Sequence, residues 1–476
     1  MTLPFKLYFS TFVAVIGGSF QFGYNLGCVN TPSKIIQEWV KSSFHSLHGT
    51  ELSEAYADFI WSTIVSIFSI GGMIGALSSG WAANKWGRKG ALIKNNIIMI
   101  LAIILMTLSK FVNVFYLLII GRFIIGIGCG FATGLVPLYI TEIAPDYLRG
   151  RFGSVHQLLI VSGIVISNII GFRLVAGNVD AWPIVFAFSA LPAFIQIIGL
   201  FFIPESPKYL LVIKKDEEQA KESLIQLRPF TDMLYEIEIL KAEATVEKGS
   251  DSTTLSDMFR YPLLWPLVIS IMMMFSQQFS GINAAMFYSA KIFQGAGLTG
   301  DIPFYGTLCI SFSHLLVTCL SIVLIDHPRF GRRILHITGL SGMMVLTVVI
   351  ALSLFAAESN GVLKVYGQYV SILGILLFAL FFSIGPGSIP WFFVTELFDS
   401  NSRSQGNSIA CLCNWLASFI VGLTFLPLTN IIGPYVFFIF TGCLLFSIIF
   451  TYKFVPETKN KTISEIKLKL EHIGQI

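Results

Sequence analysis

Twelve apolar runs, most of them close to twenty residues long, dominate the chain, and one charged segment divides them six and six. A helix needs about twenty apolar residues to cross the hydrocarbon core of a bilayer. The runs cover roughly 8–29, 59–80, 92–109, 114–140, 152–172 and 182–203, and then 262–291, 303–325, 334–356, 367–394, 404–427 and 432–454. A polytopic helical membrane protein is the one class that accommodates them. Composition agrees: 54% of the 476 residues are hydrophobic and 12% charged, where soluble domains carry about a quarter charged. The first run is long for a signal peptide and continues into "QFGYN" without a small-residue cleavage site, so it reads as a retained first span.

The expected fold is all-α, with twelve transmembrane helices in two six-helix bundles and cytoplasmic linker helices. The expected units are 1–204 and 261–455 for the bundles, 205–260 for the linker and 456–476 for a tail. "KKDEEQAKESLIQLR" combines good helix formers with acid–base neighbours three or four apart. It predicts short amphipathic helices at the membrane surface. Orientation follows from the basic residues of short loops. Lys85, Arg88 and Lys89, then Arg149 and Arg151, then Arg329, Arg332 and Arg333, and finally Lys453, Lys459 and Lys461 all fall on one side. Linker and both termini are therefore expected in the cytoplasm. The net charge of +4 is largely this bias and gives no reason to expect a nucleic-acid partner.

The halves repeat each other. "KWGRKG" follows span 2 and "RFGRRI" follows span 8, with Gly87 and Gly331 244 positions apart. Glu142 and Glu396 are 254 apart, and the glutamates of "PESPK" and "PETKN", Glu205 and Glu457, are 252 apart. A duplicated six-span unit is an architecture in which two bundles rock about a site near the midplane. Arg88, Glu142, Arg149 and Arg151 in one half, with Arg332, Arg333, Glu396 and Arg403 in the other, are expected to form ion pairs that lock the bundles shut on the cytoplasmic side. Arg122 is expected near a membrane boundary, where a long side chain can snorkel.

Polar residues inside the spans carry the chemistry. His156 and Gln157 open "HQLLIVSGI", Gln277 and Gln278 open "QQFSGIN", which ends at Asn283, and Asn414 precedes Trp415. "SIGPGSIPW" breaks span 10 before Trp391, and the carbonyl groups freed at such a break need protein or a watery cavity around them. An amide donates and accepts at once, and an indole can cover the apolar face of a sugar ring. Uncharged amides with a Trp suit a hydroxyl-rich neutral solute. The competing reading is that they hold helices together. Near the start, "SFQFGYNLGCVN" adds Gln21, Tyr24, Asn25 and Asn30 without a charge, as a further polar lining. The seven cysteines show no metal-ligand spacing. There is no nucleophile–base set and no nucleotide loop, so neither an enzyme nor a cofactor or metal is expected.

In order along the chain, "QFGYNLG", "GRFIIG", "PLYITEIAP", "HQL", "PESPK", "QQFSGIN", "GRR", "IPWF", "NW", "GPYVF" and "VPETK" closely resemble the facilitative glucose transporters of the major facilitator superfamily. The resemblance implies passive exchange of hexoses, D-glucose chiefly, across the plasma membrane by alternating access. It implies a sugar site of Gln157, Gln277, Gln278, Asn283 and Trp391, with Ile160 as an apolar contact and Asn414 nearby. Three positions depart from that family. Ser383 stands where its glucose-type members usually carry glutamate, His314 is the best match to an asparagine of span 8, and Met274–Ser276 reads "MFS" in place of "QLS". A shorter, uncharged Ser383 predicts a roomier site that also takes galactose. Proton-coupled relatives place aspartate where Asn25 stands. An amide cannot titrate, so the expectation is a uniporter. The alternatives are a proton-coupled symporter that uses another acid, and a non-transporting sugar sensor.

Overall fold

The computed structural model describes residues 4–228, 236–238, 241, 253–285, 293, 302–327, 329–459, 461, 465, 466 and 468–470. Span 1 is two helices, α1 (Phe5–Gly17) and α2 (Ser19–Gly27), separated at Gly18. A surface helix, α3 (Ser33–His48), follows. It lies in the connection between spans 1 and 2.

α4 then runs for 59 residues, Glu54–Val112, well over twice the roughly twenty that one crossing requires. It turns at Gly87, whose φ of 76° lies in the left-handed region that glycine enters without a Cβ penalty. α5 (Phe115–Ile143) meets Phe68 through Gly126 and Met99 through Gly128. The two arms of α4 therefore lie side by side as spans 2 and 3.

Span 5 is α6 (Arg149–Ile170), and span 6 is α7 (Trp182–Ala187) with α8 (Ala190–Leu200). The linker supplies α9 (Glu217–Leu227), where the Asp216 side chain accepts the Gln219 N–H at 3.0 Å. This is one of the expected linker helices; residues 229–235, 239, 240 and 242–252 lie outside the described residues.

The second half starts with α10 (Leu264–Gln278); the end of span 7, from 286 to 291, is also outside the described residues. α11 (Ile302–Asp326), α12 (Arg332–Glu358), and α13 (Val362–Ile384) with α14 (Ile389–Leu397) form spans 8 to 10. α15 (Ser400–Ile432) and α16 (Val436–Phe454) complete the set. Span 10 is broken where Gly385, Pro386, Gly387 and Pro390 interrupt the ladder.

Each half packs internally, and the halves meet along α4 against α15 and α6 against α11. Gly72 sits in the first of these seams. Its backbone lies against Gly130 of α5, and its missing Cβ leaves room for the Trp415 indole of α15. Small residues of this kind let membrane helices approach closely where no hydrophobic drive separates them from lipid.

Candidate functional site

Gln277 clasps the break in span 10. Its Nε2 donates to the carbonyl oxygens of Pro386 and Gly387 at 3.0 and 2.9 Å, the groups that a broken helix leaves without partners. Its Oε1 accepts from Asn414 Nδ2 at 2.7 Å and from Gln278 Nε2 at 3.2 Å. Gln278 Nε2 also reaches Asn414 Oδ1 at 3.0 Å, and its Oε1 accepts from Asn283 Nδ2 at 2.6 Å. Asn283 donates in turn to Ser418 Oγ at 2.7 Å. Four amides predicted from two separate stretches therefore form one uncharged network between α10, α15 and the span 10 break.

The network extends to the other half through Trp391. Its indole Nε1 donates to Gln157 Oε1 on α6 at 3.2 Å. The ring stands edge-to-face to His156 at 5.2 Å and to Phe22 of α2 at 6.5 Å. His156 is itself held by Ser19, with 2.7 Å between Nδ1 and Oγ. Ile160 is buried one turn beyond, and its backbone packs against Gly23. Below the site, Trp415 Nε1 donates to Thr133 Oγ1 at 3.1 Å, and its ring lies 5.0 Å from Phe22. The residues form a polar, aromatic-walled junction built from both halves.

Two predicted site residues differ in kind. The Ser383 hydroxyl donates to Ala379 O at 2.9 Å and to His314 O at 3.4 Å, and the residue is fully buried. It is engaged by backbone. His314 is also buried, edge-on to Phe382, and neither ring nitrogen has a hydrogen-bond partner among the described residues.

The first polar stretch is corrected by the structure. Gln21 donates to Ser189 O at 2.5 Å, Tyr24 to Val185 O at 2.6 Å and Asn25 to Gln21 O at 2.9 Å, and all three residues are buried. The Gln21 and Tyr24 bonds tie α2 to span 6 within one half, and Asn25 accepts from Ser189 Oγ at 3.5 Å, so these three side chains act as helix glue, not as a lining. Arg122 is corrected too. It is 1% exposed, donates through Nη1 to Asn25 O at 2.7 Å and lies 4.4 Å from the Phe68 ring centroid. It does not snorkel, because it sits between α2, α4 and α5 inside the bundle.

At the linker face the three repeated landmarks join. Glu205 accepts the N–H groups of Arg88 and Lys89, each at 3.0 Å, just past the Gly87 turn. Glu457 accepts those of Arg332 and Arg333 at 3.0 and 3.1 Å, just past Gly331. Arg88 pairs with Glu142, and Arg332 with Glu396. The next hydroxyl, Ser206 or Thr458, donates to that same Glu142 or Glu396 at 2.5 Å. Burial pushes the Glu205 carboxyl above the usual range, against the opposing pull of its N–H donors and of Arg88.

These ion pairs lie inside each half, where cross-half locks were expected. Arg403 caps Phe398 O at 3.1 and 3.2 Å, and its charge also reaches Glu142 across the seam. Arg149 and Arg151 open α6 on this face. Smaller groups that sequence reasoning missed also bridge the seam. Ser408 Oγ meets Ser79 Oγ at 3.0 Å and accepts the Gly80 N–H at 2.8 Å, Ser404 donates to Asn84 at 3.1 Å, and Asn407 donates to Gly134 O at 2.6 Å. Toward the other face, Asn168 donates to Ser311 at 3.1 Å. Serines scattered in apolar runs carry no sequence signal that distinguishes these from ordinary packing.

Residues 10–470 match the family model described as sugar (and other) transporter. Facilitated glucose transporter protein 1 of Caenorhabditis elegans is 48% identical over 98% of this chain and 91% of its own length. The Gallus gallus solute carrier family 2, facilitated glucose transporter member 1 is 40% identical over 96% and 92%. Among solved structures, a proton:xylose symporter of the major facilitator superfamily, bound to 6-bromo-6-deoxy-D-glucose, superposes with a TM-score of 0.84 at 25% identity, covering 97% of this chain and 98% of that one. An inward open xylose transporter from E. coli superposes at 0.72, with 26% identity over 97% and 99%.

Proposed function

The chain belongs to the sugar transporter family, among the facilitated glucose transporters, and from that premise we propose that it is a uniporter of hexoses, chiefly D-glucose and with it galactose. The fold is the twelve-helix major facilitator fold, and the chain is a multi-pass membrane protein. The observation that carries the reading is the uncharged network of Gln277, Gln278, Asn283 and Asn414, joined through Trp391 to Gln157 in the other half. Each amide offers both a donor and an acceptor to a sugar hydroxyl. Trp391 supplies an apolar plate. A sugar bound here touches both halves, so rocking one half against the other changes the face to which it is exposed.

Passive transport is favoured by Asn25. It occupies the position of the titratable aspartate in proton-coupled relatives, and its amide is held by Gln21. Near the linker face, Glu142 and Glu396 are already paired with arginines, which leaves them poorly suited to proton coupling through the sugar site.

We place the chain in the plasma membrane with the linker and both termini cytoplasmic. The basic residues that flank Gly87 and Gly331 support this orientation. The proposed division is 1–204, 205–260, 261–455 and 456–476. The seam bonds at Ser408 and Asn407, with the lower superposition on the inward open structure, support a conformation closed on the cytoplasmic side. Gating then rests on Arg88, Glu142, Arg149, Arg151, Arg332, Arg333, Glu396 and Arg403 stabilising each half beside that seam.

Uptake of labelled hexoses into proteoliposomes, with a panel of competing sugars, tests the reading. Saturable D-glucose entry that stops at equal internal and external concentration supports it. Binding without flux would favour a sensor.

A further inference from the structure

We propose that Lys85, Lys94, Trp81 and Trp86 form a headgroup site for an anionic phospholipid in the leaflet on the linker face. The site lies outside the sugar junction and does not depend on which solute is carried.

Two lipid-facing stripes end here. Ile74, Leu77 and Trp81 recur at helical spacing on the first arm of α4, are all exposed, and lead to Lys85. On the second arm, past Gly87, Ile97, Leu101, Ile104 and Leu108 are exposed at the same spacing and lead back to Lys94. Each stripe therefore ends in an ammonium group toward the linker face. A helical side chain leans toward the start of its helix, so Lys94 reaches back along its arm toward the Gly87 turn.

The ammonium groups converge on one indole pair. Lys94 Nζ lies 3.5 Å from the Trp86 ring centroid. Lys85 Nζ lies 4.7 Å from the Trp81 centroid and 6.0 Å from that of Trp86. The two indoles pack edge-to-face at 5.1 Å. Trp86 is thus within cation–π range of both lysines. Among the described residues no carboxylate pairs with either one. Two like charges drawn to one ring repel each other, and a phosphate between them removes that repulsion.

The stripes decide the source of the phosphate. Acyl chains lying along Ile74–Leu77 and Ile97–Leu101 hold the headgroup at the lysines, an anchorage that free phosphate lacks. Charge selects the class: a choline lipid cancels its own phosphate with its quaternary ammonium and has no net charge, whereas phosphatidylserine adds a carboxylate and brings a net negative charge. On the proposed orientation this is the cytoplasmic leaflet, where anionic lipids are concentrated.

The test uses the full-length protein in phosphatidylcholine vesicles that contain dibrominated phosphatidylserine or dibrominated phosphatidylcholine at equal mole fraction. Quenching at the site is the difference between the wild type and Trp81→Phe/Trp86→Phe. Phosphatidylserine should quench at the lower mole fraction, by about fivefold for each lysine. Lys85→Gln/Lys94→Gln should lose the preference while keeping its melting temperature and hexose uptake, and Lys85→Arg/Lys94→Arg should retain it. Equal quenching by the two lipids, a preference that survives Lys85→Gln/Lys94→Gln, or displacement of brominated phosphatidylserine by millimolar inorganic phosphate would overturn the proposal.

Discussion

The guanidinium of Arg88 grips the carboxylate of Glu142 through two bonds of 2.6 and 2.7 Å, and each side chain is 2% exposed. The repeat of this pair in the second half is looser. Arg332 approaches Glu396 at 3.6 Å, with side chains 6% and 10% exposed. The same landmarks thus form a tight fork in one half and a longer single contact in the other.

That asymmetry predicts unequal mutants. Removing one partner of a buried pair leaves an uncompensated charge and costs about 3–5 kcal/mol. Glu142→Ala should therefore lower the melting temperature of the purified protein clearly more than Glu396→Ala. Equal losses would mean that the two pairs are equivalent in solution.

Sugar affinity should divide the amides into two groups. If the proposed site holds the sugar, Gln157→Ala and Gln278→Ala each remove one partner, worth roughly 0.5–1.5 kcal/mol, or about twofold to tenfold in affinity. Gln277→Ala should in addition destabilise the fold, since Pro386 O and Gly387 O lose their donor. Glucose competition and thermal melting, measured on all three variants, check both statements. Unchanged affinity in Gln157→Ala and Gln278→Ala would assign those residues to helix packing alone.

Flux should be indifferent to a proton gradient, because Asn25 carries no titratable group. Imposing an inward gradient on proteoliposomes should leave the final internal glucose level equal to the external one. Accumulation that a protonophore abolishes would refute passive transport.

Ser383→Ala should leave glucose and galactose competition unchanged within about twofold, because the hydroxyl bonds to Ala379 O and the residue is fully buried. This outcome runs against the roomier site expected from the missing glutamate. A change of tenfold would return Ser383 to the sugar site.

Ser408→Val should loosen the linker-face seam, since it removes the acceptor of the Gly80 N–H and adds bulk beside Ser79. Cys411, buried with its Sγ 3.5 Å from Thr133 O across the seam, is a natural reporter. In a background that retains this cysteine alone, an impermeant maleimide added from the linker side should label Ser408→Val faster than the parent. An equal rate would show that Ser408 does not hold the closed state.

What the sequence by itself determined is whatever the bilayer or a local motif dictates. Spans of about twenty apolar residues, the bias of basic loops and the break at "GPG" need no partner to be recognised, because hydrocarbon thickness and proline geometry impose them. The apolar spans, the duplicated landmarks and the span 10 break were legible for that reason, and Gln277, Gln278, Asn283 and Asn414 stood out as polar groups in apolar runs. Tertiary structure alone decided which polar groups meet. Gln21 and Asn25 look like Gln157 and Gln278 in sequence, yet the first pair faces span 6 within its own half and the second lies at the junction of the halves. Arg122 could have snorkelled, but the packing of α2, α4 and α5 places a backbone carbonyl and the Phe68 ring around it. Arg88 and Arg332 pair with Glu142 and Glu396 inside each half, while Arg403 reaches Glu142 across the seam by charge. Ser79, Ser404, Asn407 and Ser408 also bridge the seam. In an apolar run a serine satisfies itself on its own helix or bridges to another, and only the approach of a second helix decides which.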